Sequence, residues 1–392
     1  MVAVGPLAAQ QPVTRAQAIA AALTRGDRAA VARADTVLSV GAVRAARAYP
    51  NPAFAATYTK DVPRYHYIAD LTLDLPWLRA PRIGAAASAH DAARYGFAFE
   101  RAAIRFDADT TYTHALAAAA HARLSRRNAN DADSLLRMAR LRREVGDVSE
   151  LDVRLAEVNA GQLENTAVDD SLTALDGLLA VQFAMGLPAD SPVITLADSL
   201  APPVPPAGFD STPGDAGDPL RVAAAAASLA SSERALTLAR RSVLPAPSLQ
   251  AGIERGDPTE SGVLPTVGVS LVVPLFNWNG GAIAQARGAR YRAQAILELA
   301  RRGSAADVAR ARRSFAAAQA RVARDRRLLA SADRVAAMSL QAYAEGAVPL
   351  ANVLEAQRNA RDALGRYVDD LAMANDAAGA VQLFTAAAPG QP

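Results

Sequence analysis

Two halves of this chain, offset by about 200 residues, read alike. NPAFAATYT at 51–59 corresponds to APSLQAGIE at 246–254, and YHYIADLTLDLPW at 65–77 to TVGVSLVVPLFNW at 266–278. REVGDVSELDVRLAEV at 143–158 corresponds to YAEGAVPLANVLEAQR at 343–358, which aligns Gly146 with Gly346, Val153 with Val353 and Ala156 with Ala356. A duplication of this size requires each half to bury its apolar faces with the same order of elements. That order is a helix, two strands, a very long helix, a Gly-containing break and another helix. A Pro-rich stretch at 200–219, LAPPVPPAGFDSTPGDAGDP, separates the halves and suits a linker with few packing contacts.

The strands are two-faced. Tyr65, Tyr67, Ala69, Leu71, Leu73 and Leu75 share one side, against His66, Asp70, Thr72 and Asp74, with Ile68 the exception. In the second half Val267, Val269, Leu271 and Val273 oppose Thr266, Gly268, Ser270 and Val272. Phe54, Ala56 and Tyr58, and likewise Leu249, Ala251 and Ile253, alternate with more polar neighbours. A period of two with one oily face is the pattern of half-buried antiparallel strands. Both tryptophans, Trp77 and Trp278, fall just past a strand near Pro76 and Pro274, and Phe276 joins the second cluster. Such aromatics suit a membrane–water boundary, and packing at a domain corner is the other reading open to them.

The helices are long. From Arg82 to about Arg143, and from Ala282 to about Tyr343, no proline intervenes. Each stretch predicts a helix on the order of 90 Å. Val308, Phe315, Val322 and Leu329 recur every seven residues with Ala311, Ala318 and Ala332 between them, a coiled-coil seam that Asp325 interrupts. Val168, Leu172, Leu175 and Leu179 predict a second seam, echoed by Leu364, Val368 and Leu371, with Asn375 in the fourth place. Gly146 and Gly346 can end the long helices in the left-handed conformation. Ser149 with Asp152, and Pro349, can open the helices that follow. The chain is therefore expected to fold into two antiparallel helical hairpins.

Composition excludes more than it selects. The 392 residues are 51% hydrophobic with a formal charge of +3 and no cysteine, so disulfides, thiolate zinc sites and cysteine nucleophiles are ruled out. No run of about 20 uncharged apolar residues predicts a transmembrane helix, a test to which β-barrels are blind. Arginine clusters such as Arg310, Arg312 and Arg313 lack interleaved aromatics on a nearly neutral chain, so nucleic acid is not an expected partner. His114 and His121 stand seven apart without an HExxH motif or a carboxylate partner nearby in the sequence, and no metal site is expected. Walker, GxSxG and Rossmann motifs are absent, and neither an enzyme nor a bound cofactor is expected.

With the repeat, VPLFNWNGG at 273–281 and YAEGAVPLANVLEAQR at 343–358 make the chain resemble the outer-membrane efflux proteins of the TolC family, from about Thr14 to Leu383. Four amphipathic strands cannot close a transmembrane barrel, whose smallest forms use about eight, so several chains must contribute. The resemblance implies an α+β, mostly α fold in which three chains share a 12-stranded barrel continuous with a periplasmic α-helical barrel. Its implied partners are two further copies in a homotrimer, a periplasmic adaptor (membrane fusion) protein, an inner-membrane efflux transporter and outer-membrane lipid. The expected division is 1–13, a signal-peptide remnant or flexible N-terminus; 14–187, the first repeat; 188–219, the linker and an equatorial segment; 220–385, the second repeat; and 386–392, a flexible C-terminus. The lack of an N-terminal cysteine argues against a lipid anchor.

The resemblance also implies a constriction at the hairpin tips, where carboxylates past the second Gly break form a ring. Those positions are Asn352 and Glu355 here, so a single ring of charge is expected, with an ordinary solvated role for Glu355 as the alternative. Tyr343 and Asp152 match partners that lock neighbouring tips in the family, but the arginine position is Val348 in this chain. Closure through Arg143 or Arg154, and a plain helix-start role for Asp152, both stay open. The implied function is a passive outer-membrane exit duct of a tripartite efflux or secretion system. A soluble periplasmic coiled-coil scaffold or adaptor is the alternative, and it would have to bury the strands' oily face.

Overall fold

A computed structural model describes residues 11–206, 209, 218–244, 246–259 and 262–387. Residues 1–10 of the expected N-terminal segment, 207–208 and 210–217 of the Pro-rich linker, and 388–392 of the expected C-terminal tail lie outside the described residues. In chain order the elements are β1 (Gln11–Val13), α1 (Arg15–Arg25), α2 (Asp27–Arg47), β2 (Ala53–Tyr58), β3 (Tyr65–Thr72), α3 (Pro76–Glu144) and α4 (Glu150–Ala184). They continue with β4 (Ile194–Leu196), α5 (Leu220–Arg241), β5 (Ser248–Arg255), β6 (Val263–Ser270), α6 (Gly280–Ala344) and α7 (Leu350–Thr385). The fold is mostly helical with two small sheets.

Several boundaries differ from expectation. The first long helix begins at Pro76, not Arg82, and carries Pro81 inside it. Pro76 opens the helix, where the amide it lacks has little to bond, whereas Pro81 lies beyond the first turn. The Trp77 carbonyl, which the residue at Pro81 would ordinarily bond, accepts from Arg241 Nη1 at 3.5 Å instead. The strands also stop early, at Thr72 and Ser270, leaving the apolar residues 271–273 beyond the ladder. Two helices, not one, precede the strands of the first half, because Gly26 interrupts the run.

One compact unit comprises residues 11–31, 100–206 and 305–387. In it β1 and β4 pair in parallel, a ladder the sequence pattern did not suggest. Tyr112, fully buried, donates its hydroxyl to the Val13 carbonyl at 2.7 Å, and burial pushes its phenol pKa up. Gln182, also fully buried, donates to the Pro188 and Ser191 carbonyls and accepts from Val193 N, at 2.8, 2.9 and 2.8 Å. Its three bonds fix the chain between α4 and β4, as a buried amide requires. The α6 seam is real: Ala311, Phe315, Ala318 and Val322 are buried against α7. In α7 Val368, Leu371 and Asn375 are buried, and Asn375 is satisfied by the Ala201 and Leu371 carbonyls at 2.9 and 2.8 Å. The α4 seam is not packed within the chain. Its buried residues are Ala156, Ala167, Val181 and Gln182, whereas Val168, Leu172 and Leu175 are exposed.

The other unit comprises residues 32–99 and 218–304. Its sheet runs β2-β3-β5-β6, antiparallel throughout, so the two halves of the repeat meet at β3–β5. Val222 and Ala225 of α5 pack on Leu297 and Ala300 of α6. Asp74, with its side chain 2% exposed, accepts from Arg79 Nη1 and Arg82 Nη2 at 3.0 and 2.7 Å. Those contacts anchor the start of α3 beneath the end of β3.

Candidate functional site: the hairpin tips and the two-faced sheet

At each tip the long helix ends through the same local chemistry. Gly146 and Gly346 have φ of 79° and 74°, conformations that cost a residue with a Cβ. Gly146 N donates to Arg143 O and Asp147 N to Arg142 O, at 3.0 and 2.9 Å. Gly346 N and Ala347 N repeat the pattern on Tyr343 O and Ala342 O, at 3.0 and 2.8 Å. The paired bonds are the Schellman arrangement. Ser149 then caps α4, its hydroxyl accepting from Asp152 N while the Asp152 carboxylate accepts from Ser149 N, both at 3.1 Å. Asp152 thus serves the capping box. Pro349 opens α7 without a side-chain cap.

The two tips pack on each other. Leu135, Leu136 and Ala139 of α3, Ala156 of α4, Tyr343 of α6, and Leu350 and Val353 of α7 form one core, with Val348 against it. Arg142 reaches across, donating Nη1 to the Tyr343 carbonyl at 2.8 Å, Nε to Asp147 at 2.6 Å, and lying 4.8 Å over the Tyr343 ring. Asp147 raises the pKa of this guanidinium, and burial raises that of the Tyr343 phenol. The Tyr343 hydroxyl is buried without a hydrogen-bond partner. Within the chain, the arginine that joins the two tips is Arg142. Arg143 is exposed, and Arg154 pairs with Glu157 and Glu150 on its own helix. The spacing Leu135, Ala139, Arg142 places Arg142 on the buried face of α3, a signal that was available in the sequence.

Asn352 and Glu355 lie three apart on α7, both exposed. Glu355 accepts from Asn359 Nδ2 at 3.4 Å and lines a groove of about 780 Å³ between α3, α4 and α7. Within one chain the Asp152 carboxylate accepts from Ser149 and the Glu355 carboxylate from Asn359. On α3, where His121 lines this groove, the two histidines have carboxylate partners that are distant in the sequence. His114 Nε2 lies 2.9 Å from Asp376 and His121 Nε2 2.8 Å from Asp369. No cluster of three or more metal-binding side chains occurs among the described residues.

The register of the sheet assembles one apolar face from all four strands. Phe54 opposes Ala69, Tyr58 opposes Tyr65, Tyr67 opposes Ile253, Leu71 opposes Leu249, and Leu249 opposes Val269. That face is open: Phe54, Tyr58, Val267 and Val269 are all exposed. The opposite face is polar and internally bonded. Asp70 accepts from Ser248 Oγ and Gln250 Nε2 at 3.0 and 2.9 Å, and His66 Nδ1 lies 3.3 Å from Glu254. Gly252 lets β5 approach β3, since a Cβ there would lie 2.7 Å from the Tyr67 carbonyl. Beyond β6, Phe276 is 98% exposed and Trp278 is also exposed, while Trp77 is exposed in the first turn of α3. No described helix is long and apolar enough to cross a membrane.

Residues 220–385 match the outer membrane efflux protein family. No curated protein matches the sequence. Among solved structures, the chain is similar to the outer membrane protein VceC of Vibrio cholerae, with 18% identity, 95% of each chain covered and a TM-score of 0.78. It is also similar to the CmeC outer membrane channel of Campylobacter jejuni, with 13% identity, 95% of this chain and 85% of that one covered, and a TM-score of 0.79. A membrane protein of Pseudomonas aeruginosa covers 95% of this chain and 93% of its own at 16% identity and a TM-score of 0.79. At these identities the likeness establishes the fold.

Proposed function

From an outer membrane efflux protein domain over residues 220–385, we propose that the chain is one protomer of an outer-membrane exit duct. The observation that carries this reading is the sheet: apolar and open on one face, polar on the other, with β2 and β6 at unpaired edges. In hydrocarbon an unpaired strand edge leaves backbone donors and acceptors unsatisfied, at several kcal/mol each. The edges are closed by strands of other copies, and three copies supply about twelve, an even number with room for a lumen. The polar face of His66, Asp70, Gln250 and Glu254 lines that lumen. The apolar face meets lipid, with Phe276, Trp278 and Trp77 at its boundary.

The paired tips form the gated end. Glu355, with Asn352 beside it, supplies one ring of carboxylates that concentrates cations in a narrow passage. Tyr343, joined to the first tip by Arg142, holds the tips together; Gly146 and Gly346 set the turns. Substrate is delivered by an inner-membrane transporter through a periplasmic adaptor docked on the helical end. The duct itself is passive, since no nucleotide-binding motif supplies energy.

The test is the native mass of protein extracted from envelope membranes in mild detergent. A detergent-bound particle of three chains is expected. A water-soluble monomer or dimer would overturn the duct and favour a periplasmic scaffold, although such a scaffold leaves the apolar sheet face without a cover.

A further inference from the structure

Beyond the duct reading, and independent of it, α3 and α7 are joined by a matched ladder of imidazoles and carboxylates. His114 and His121 are seven apart on α3, Asp369 and Asp376 seven apart on α7. Because the helices run antiparallel, each histidine meets its own aspartate, at 2.9 and 2.8 Å. Between the two pairs Ala117 packs on Val368 and Ala372. Two of the chain's four histidines thus sit in one seam, two helical turns apart. We propose that this seam is an acid-tightened clasp, in which protonation of His114 and His121 turns two hydrogen bonds into ion pairs and holds α7 more firmly to α3.

The surroundings favour that direction. Asp376 is pulled two ways: burial pushes its carboxyl pKa up, while His114 draws it down, and its Oδ1 is buried without a partner. A positive charge on His114 compensates a carboxylate that is otherwise poorly solvated. Arg15 of α1 and Asp109 of α3 also face Asp376, but they pair with each other at 3.0 Å. Around His121 the groove adds Asp170 of α4 with Asp362 and Arg366 of α7. On the α6 side of α7, Asp370 contacts Asp325 and lies 3.2 Å from Arg321. Histidine is the side-chain type that ordinarily changes charge between about pH 5 and 8.

Hydrogen exchange of the full chain in detergent tests the clasp, at about pH 8 and about pH 5.5 with times scaled for intrinsic rates. In the natural protein, protection of the amides of 366–378 should rise about fivefold on acidification. In the His114→Gln/His121→Gln protein the rise should disappear. Asp369→Asn/Asp376→Asn, which keeps both histidines, should abolish it as well and serves if the first variant folds poorly. Asp325→Asn should leave the rise in place. No acid gain in the natural protein, or a gain that survives the histidine replacements, overturns the clasp. A gain lost only in Asp325→Asn would assign it to the carboxyl pair on the α6 side instead.

Discussion

Arg142 and Tyr343 lie 201 residues apart in sequence, yet the guanidinium of one donates to the carbonyl of the other at 2.8 Å and covers its ring. The contact combines a charge-assisted hydrogen bond with a cation–π stack, and it is the polar link between two tips otherwise joined by apolar packing. Replacing Arg142 with Gln should therefore loosen both turns together. Limited proteolysis within 143–149 should accelerate about threefold, whereas Tyr343→Phe, which removes a buried hydroxyl that bonds nothing, should leave it unchanged.

Gly186 closes α4 with φ +74°, and a Cβ there would stand 2.7 Å from the Arg25 carbonyl. Gly186→Ala meets both a backbone and a steric penalty, and should cost about 1–3 kcal/mol. Thermal unfolding followed by circular dichroism gives the comparison.

Asp74 is a buried carboxylate with two arginine partners. Asp74→Asn keeps the shape but removes the charge, leaving Arg79 and Arg82 facing a neutral amide, and should destabilise by about 2 kcal/mol. Thermal unfolding again reads the loss, and an unchanged Tm would remove Asp74 from the support of the β3–α3 junction.

The Asp370 carboxyl pKa is raised by burial and by Asp325. A carboxyl whose pKa is higher folded than unfolded favours the fold when protonated. Its contribution is full below the ordinary carboxylate range and is lost as pH rises through the raised value. Asp325→Asn lets an amide donate to the Asp370 carboxylate. It should raise Tm by about 1–3 °C near neutral pH and change little near pH 4.

For the proposed constriction, Glu355→Ala should reduce cation selectivity about threefold in planar bilayers, read from reversal potentials across a salt gradient. Unchanged selectivity would remove Glu355 from the ring.

Local signals were legible where the physics acts over a few residues. The glycines at 146 and 346, the Ser149–Asp152 box and the heptad through Phe315 all act within one or two turns. Misplaced boundaries came from competing tertiary contacts. Pro81 does not delay the start of α3, and the Trp77 carbonyl that it leaves open accepts from Arg241. The α4 seam through Leu172 is 57% exposed at that residue, since the packed face of α4 follows Ala156 and Ala167 instead. Arg142 and Arg143 differ by one residue and about 100° of helix, and only the packing of the tips brings Arg142 onto Tyr343.

By itself the sequence determined the duplication, the two-faced strands, the long helices and their turns, because periodicity and backbone chemistry are properties of neighbouring residues. Tertiary structure alone decided which strands adjoin, with β3 meeting β5 across the repeat, and which charges meet. His114 with Asp376, Arg142 with Tyr343 and Asp70 with Gln250 are brought together from 180 or more positions apart. No local pattern encodes such a pairing; it exists only once the apolar faces of distant elements have chosen each other and fixed the register between them.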